Sequence, residues 1–252
     1  MPLLDPVVWA MILPLAGFAG VVKGAVGFAM PMILISGLGT FLAPDLALAG
    51  LILPTVLSNV LQVARAGVRA AFEASRAFSV YIAIVLVMIA LTAQLVRFLP
   101  DATMFLAIGI PITLFALTQL LGWRPKVAGG PGGRTGVAVA LFAGFLGGIS
   151  GTWGPPTVAY LTALDTPKKI AVAVQGVVYG TGSAVLLLAH INSGVLTAER
   201  AGFSALLCLP AAVGMAVGFR IQDRLDQERF RRVTLLVLVV AGLNLVRRGL
   251  VG

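Results

Sequence analysis

The stretch Gly17-Phe18-Ala19-Gly20-Val21-Val22-Lys23-Gly24-Ala25-Val26-Gly27 returns 127 positions later as Gly144-Phe145-Leu146-Gly147-Gly148-Ile149-Ser150-Gly151-Thr152-Trp153-Gly154. Four glycines and one phenylalanine match at a single offset, in a chain of 252 residues. The offset is close to half the length, so the chain reads as a tandem duplication. The first repeat covers 1–122, a basic Gly/Pro linker covers 123–136, and the second repeat covers 137–252. All three belong to one integral membrane domain, for reasons that lie in the composition.

Hydrophobic residues make up 59% of the chain and charged residues only 11%, with a mean hydropathy of +1.04. Soluble globular domains are about 45–50% apolar and about 25% charged. A soluble core cannot absorb that excess, which excludes a cytosolic enzyme and a secreted disulfide scaffold. Disorder requires few apolar residues and many charges, the opposite of this composition. Lipid must therefore solvate much of the chain. The apolar runs are continuous rather than alternating, which predicts helices and not barrel strands. They fall at Val7–Val21, Ala25–Leu38, Leu46–Ala64, Phe78–Val96, Thr103–Gly122, Val137–Ile149, Pro156–Leu164, Ile170–Ala189, Ala201–Phe219 and Val233–Val246. The N-terminus carries Asp5 and no basic region, unlike a cleaved signal peptide.

The basic residues decide between two topologies. If Val7–Leu38 crosses the membrane once, 9 basic residues fall on one side and 8 on the other, and there is no bias. If it turns back as a hairpin, Arg65, Arg69, Arg76, Arg124, Lys126, Arg134, Lys168, Lys169, Arg220, Arg224, Arg229, Arg231 and Arg232 share one side, 13 in all. Arg97, Arg200, Arg247 and Arg248 keep the other, 4 in all. Lys and Arg accumulate in cytoplasmic loops, so the hairpin topology is preferred, with both termini outside the cytoplasm. Each half then has odd parity and the second inserts upside down. The expected fold is an all-α polytopic membrane protein of two inverted repeats. Each repeat is a broken or re-entrant glycine-rich helical hairpin plus three transmembrane helices. The alternative is one long kinked first helix with parallel repeats.

Broken helices at matched places in two halves point to a transport site. The apices at 20–31 and 147–156 would offer backbone N–H groups where a returning half-helix starts, and the helix dipole there favours an anion. Lys23 lies in the first apex. A charge at membrane depth is costly and marks function; the plainer reading is that it snorkels to an interface. Its repeat partner is Ser150, a neutral donor. Thr55, Asn59 and Gln62 share one helix face, and Gln175, Tyr179 and Ser183 share one on the matching helix. These residues either face a cavity or join helices by hydrogen bonds. The Gly20/Gly24 and Gly147/Gly151 pairs also suit close helix packing. The expected substrate-binding set is Lys23, Gly24, Gly27, Phe28, Asn59, Gln62, Ser150, Gly151, Thr152, Trp153, Gly154, Gln175 and Tyr179.

Other chemistry has few candidates. Cys208 and His190 are single in the sequence and read as structural. All nine acids lie near segment ends or in loops. That leaves no catalytic residues, no metal site and no cofactor to expect, and an intramembrane enzyme is a poor fit. It also leaves no obvious carboxylate relay for protons. The expected partners are a small anionic substrate and the lipid bilayer, not nucleic acid; a homo-oligomer is compatible with the sequence.

The segments GFAGVVKGAVGFAMPMIL (Gly17–Leu34) and GFLGGISGTWGPPTVAYL (Gly144–Leu161) resemble the two repeat motifs of the TauE/SafE family of sulfite and organosulfonate exporters. The similarity extends over essentially the whole chain. It implies a multi-pass bacterial inner-membrane transporter for small sulfur-containing or carboxylate anions, working as an exporter by alternating access about the two apices. Thr152-Trp153 departs from the smaller or aliphatic residues expected before the GPP step, and Lys23 stands where many members lack a charge. An anion channel and a non-transporting membrane subunit are the alternatives.

Overall fold

The computed structural model describes residues 5–66, 73, 75–122, 127, 132–221 and 226–251. Arg69, Arg124, Lys126, Arg224 and most of the 123–136 linker lie outside the described residues, as do the side chains of Arg65, Lys168 and Lys169. The described residues form ten α-helices and no strand. In chain order these are α1 (Pro6–Val26), α2 (Met30–Phe41), α3 (Pro44–Ala66), α4 (Ser79–Thr92), α5 (Asp101–Leu120), α6 (Arg134–Ser150), α7 (Gly154–Ala163), α8 (Lys168–Asn192), α9 (Ala198–Ile221) and α10 (Gln227–Val251). A short 3-10 turn, Val96–Phe98, follows α4. Five helices in each half succeed one another in the same order, as a duplicated sequence requires.

Seven helices among the described residues are long and apolar enough to cross a membrane: α1, α3, α4 with its 3-10 turn, α5, α8, α9 and α10. The sequence predicts six such crossings outside the glycine-rich segments. The seventh is α1, which has 21 residues where its repeat partner α6 has 17. Most of the difference lies at the C-terminal end. α1 continues three residues past Lys23, whereas α6 stops at the equivalent Ser150. α2 and α7 have only 12 and 10 residues. At 1.5 Å per residue these reach about 18 and about 15 Å, roughly half a bilayer core.

Local chemistry explains the breaks. Gly27 ends α1 in the left-handed region at φ 83°, its N–H bonded to Lys23 O at 2.7 Å. α2 begins after Ala29, and Pro31 stands within its first turn, where a missing N–H costs nothing. α2 packs back on α1, with Gly37 against the Leu15 side chain. In the second half Gly151 ends α6 at φ 69°, and Pro155-Pro156 open α7. Gly136 of α6 then lies against the Tyr160 hydroxyl of α7.

Packing pairs equivalent helices across the halves. α1 lies along α9, and its partner α6 lies along α4; α3 packs on α8, and α5 on α10. Glycine makes the first contact close. A Cβ built on Gly20 would fall 2.1 Å from Ala211 O, and one on Gly24 2.3 Å from Met215 O. Small residues let backbones approach in this way where lipid supplies no hydrophobic drive. Pro54 inside α3 frees the Gly50 carbonyl, and Ser204 Oγ of α9 donates to it at 2.9 Å. The orphan Gly148 carbonyl near the end of α6 is 3.0 Å from His190 Nε2, which accounts structurally for the lone histidine. Leu188, Leu206, Leu209, Val240 and Leu243 face outward and are exposed, as lipid-facing side chains are.

Candidate functional site

The turn between α1 and α2, the turn between α6 and α7, and the middles of α3 and α8 converge. Lys23 is buried at 2% exposure. Its Nζ donates to Asn59 Oδ1 of α3 and lies 5.7 Å from the centroid of the Tyr179 ring of α8. Asn59 Nδ2 in turn donates to Tyr179 O at 2.8 Å. Residues from three different helices, in both halves, thus fix one ammonium. Among the described residues no carboxylate pairs with it.

A small cavity of about 20 Å³ lies beside this group. Its walls are Lys23, Phe28, Ala29, Pro31, Met32, Thr55, Asn59, Gly151, Thr152, Trp153, Gly154, Pro155 and Tyr179. That volume holds about one water. Ser150 Oγ donates to Leu146 O at 2.7 Å and meets Thr152 Oγ1 at 2.5 Å. Thr55 is fully buried and its Oγ1 has no partner. Buried hydroxyls are nearly always satisfied, so an orphan facing a cavity is a vacant donor and acceptor. Ala29 holds φ 77°, a left-handed value that costs a non-glycine residue about 1–2 kcal/mol. This strain sits at the cavity wall.

The sequence-predicted set divides. Lys23, Phe28, Asn59, Gly151, Thr152, Trp153, Gly154 and Tyr179 line the cavity. Gly24 instead faces Met215 and Gly218 of α9, and Gly27 caps α1. Ser150 stands behind Thr152, and Gln62 and Gln175 are not in the wall. Gln62 Oε1 is buried without a partner, and its Nε2 would lie 3.8 Å from a Cβ at Gly27. Ala29, Pro31, Met32, Thr55 and Pro155 also line the cavity, outside that set. Thr55 was visible on the same helix stripe as Asn59. Met32 and Pro31 carried no signal beyond lying on the returning helix.

The two helix starts differ as donors. α2 has Pro31 at its second position, leaving the N–H groups of Met30 and Met32. α7 has Pro155 and Pro156 there, so two N–H groups are missing and Gly154 carries the first donor. Hydroxyls stand nearby instead: Thr152 Oγ1 in the wall and Thr157 Oγ1, which is committed to Trp153 O at 2.8 Å. Tyr179 OH reaches Gly154 O at 3.4 Å.

The family model described as sulfite exporter TauE/SafE matches residues 12–245, nearly the whole chain. The chain belongs to the TauE/SafE sulfite exporter family. It is therefore a multi-pass membrane transport protein of a family named for moving a sulfur oxyanion. No curated protein and no solved structure gave a significant match. Both turns that wall the cavity fall within the matched TauE/SafE region.

Proposed function

We propose that this TauE/SafE member is a carrier, not an enzyme, that moves sulfite, a sulfonate or a similar small organic acid out across a bacterial inner membrane. The anion would bind between the two glycine-rich turns. The observation that carries this reading is Lys23: a buried ammonium, held by a neutral amide, beside a cavity with an unpartnered hydroxyl. Two helix starts and Thr152 complete an environment of donors suited to an oxyanion. A cavity of about one water's volume is too small for sulfite or a sulfonate, which favours a carrier that must rearrange over a standing open channel.

The halves are read as inverted re-entrant hairpins, with access alternating about their apices. Several contacts support opposite insertion. Arg248 near the end of α10 donates to the carbonyls of Gly39 and Leu42 at the end of α2, and Arg200 pairs with Asp45 at 2.7 Å. The end of α7 instead meets Val127, whose N–H donates to Ala163 O at 3.0 Å, while Arg231 of α10 reaches Gln119 near the end of α5. Arg97, Arg200, Arg247 and Arg248 form the sparse basic set, so that end is assigned to the outside. A reporter active only outside the cytoplasm, fused to the C-terminus, is expected to be active. Inactivity would reverse the assignment. An anion leaving a negative-inside cell gains about 2.3 kcal/mol per charge per 100 mV, so export needs no coupling ion.

Transport into proteoliposomes of sulfite, sulfoacetate, taurine, sulfate, acetate and malonate tests the reading. Saturable flux of one or two of these is the expected result; unsaturable flux of all would favour a channel. Thr55→Val supplies a second check. Loss of an orphan hydroxyl should leave the fold as stable as wild type, while weakening anion binding by up to roughly tenfold. Unchanged affinity, read by calorimetry, would remove Thr55 from the site.

A further inference from the structure

A second, larger cavity shares two wall residues with the small one. It is a crevice of about 630 Å³ between α5, α6 and α7. Thr152 and Pro155 form part of both walls. From there the crevice follows α7 to Ala163, eight residues or about 12 Å. Its sides are apolar: Leu114 and Phe115 of α5, Phe142 of α6 and Ala159 of α7. The fold does not force this gap. In the other half the equivalent helix α2 packs on α10, Gly39 lies against Leu245, and Arg248 is bonded to the carbonyls of Gly39 and of Leu42, the residue that ends α2. The position equivalent to Arg248, just past the end of α5, is Leu121, which has no donor to hold α7.

We infer that the crevice receives the apolar body of the transported anion, so that the substrate class is an amphiphilic organic sulfonate or carboxylate with an alkyl or aryl portion several carbons long. This rests on the anion site proposed above. The acid group sits beside Lys23 and Thr55, Thr152 and Pro155 flank the junction, and the apolar portion lies along α7. One molecule with two parts fits two cavities with shared walls. A membrane lipid tail would fill the crevice from the bilayer and gain nothing from Lys23.

The test uses the full chain in nanodiscs, with binding of methane-, butane- and hexanesulfonate measured beside 1-hexanol. Burying each methylene is worth up to roughly fourfold in affinity. At least tenfold tighter binding of hexanesulfonate than methanesulfonate is expected. Ala159→Trp, which fills the crevice, should bind methanesulfonate as wild type does and lose the dependence on length. Leu114→Trp, on the opposite and partly exposed wall, gives the same readout if the first variant fails to fold. Length-independent binding in wild type overturns the inference and leaves the anion site standing. So does hexanol binding as tight as hexanesulfonate and uncompeted by methanesulfonate, the signature of a lipid-type groove. If no sulfonate of any length binds, the anion site falls and the inference with it.

Discussion

Lys23→Met is expected to abolish anion-dependent thermal stabilisation while leaving the melting temperature of the ligand-free protein within a few degrees of wild type. Methionine keeps the unbranched stem that fills the space between α1, α3 and α8, and deletes only the ammonium. Two terms then oppose each other in the fold. A buried charge held by a neutral amide is no longer desolvated, a gain. Asn59 Oδ1 loses its donor, a cost of about 1–3 kcal/mol. In binding nothing offsets the loss. A charge-assisted hydrogen bond contributes about 1.5–3 kcal/mol, so affinity should fall roughly 10- to 150-fold. Stabilisation by mass action tracks that affinity, and a panel of sulfite, sulfoacetate, taurine, sulfate, acetate and malonate at matched ionic strength reads it. Equal stabilisation of the variant by the same anion would take Lys23 out of the site. A variant that melts far below wild type would instead make Lys23 a structural strut.

The architecture was legible because lipid imposes few choices. Continuous apolar runs have to be helices, and one offset relating Gly17–Gly27 to Gly144–Gly154 is enough to set the order of five helices per half. Lys23, Asn59, Thr152 and Tyr179 were legible as well, since polar groups inside apolar runs must find partners or face a cavity. What was not legible is what depends on which helix lies beside which. Gly24 looks like Gly27 in the sequence, yet one abuts α9 and the other terminates α1. Gln62 and Asn59 lie on one face of α3, yet three residues of helix rise carry Gln62 beyond the wall. His190 acquires its role from Gly148, 42 positions away, with Ser193 Oγ 3.2 Å from its other ring nitrogen. Just past α5, Leu121 stands where α10 carries Arg248, a difference that means nothing until α2 is seen clamped.

The glycines provide the sharpest separation of packing from function. Gly214→Ala is expected to destabilise severely, because a Cβ there would sit 2.0 Å from Gly17 O and 3.0 Å from Val21 N. Both contacts are backbone and neither can rotate away, so α1 and α9 must move apart. Overpacking of this kind costs about 1–3 kcal/mol or more, and separation would also loosen Gly20 and Gly24 from α9. Gly17→Ala makes the opposite test on the facing residue. Its Cβ would meet only Pro210 O at 3.7 Å, ordinary contact, and alanine is favoured in a helix by about 1 kcal/mol. Gly17→Ala should therefore melt at or above the wild-type temperature and keep its anion response, although Gly17 opens the repeated motif. Melting in matched detergent decides the pair. Comparable losses in both variants would mean that α1 and α9 are more closely apposed at Gly17 than the 3.7 Å clearance to Pro210 O indicates. Tolerance of both would mean that the α1–α9 contact yields easily, which fits a sliding interface better than a fixed one.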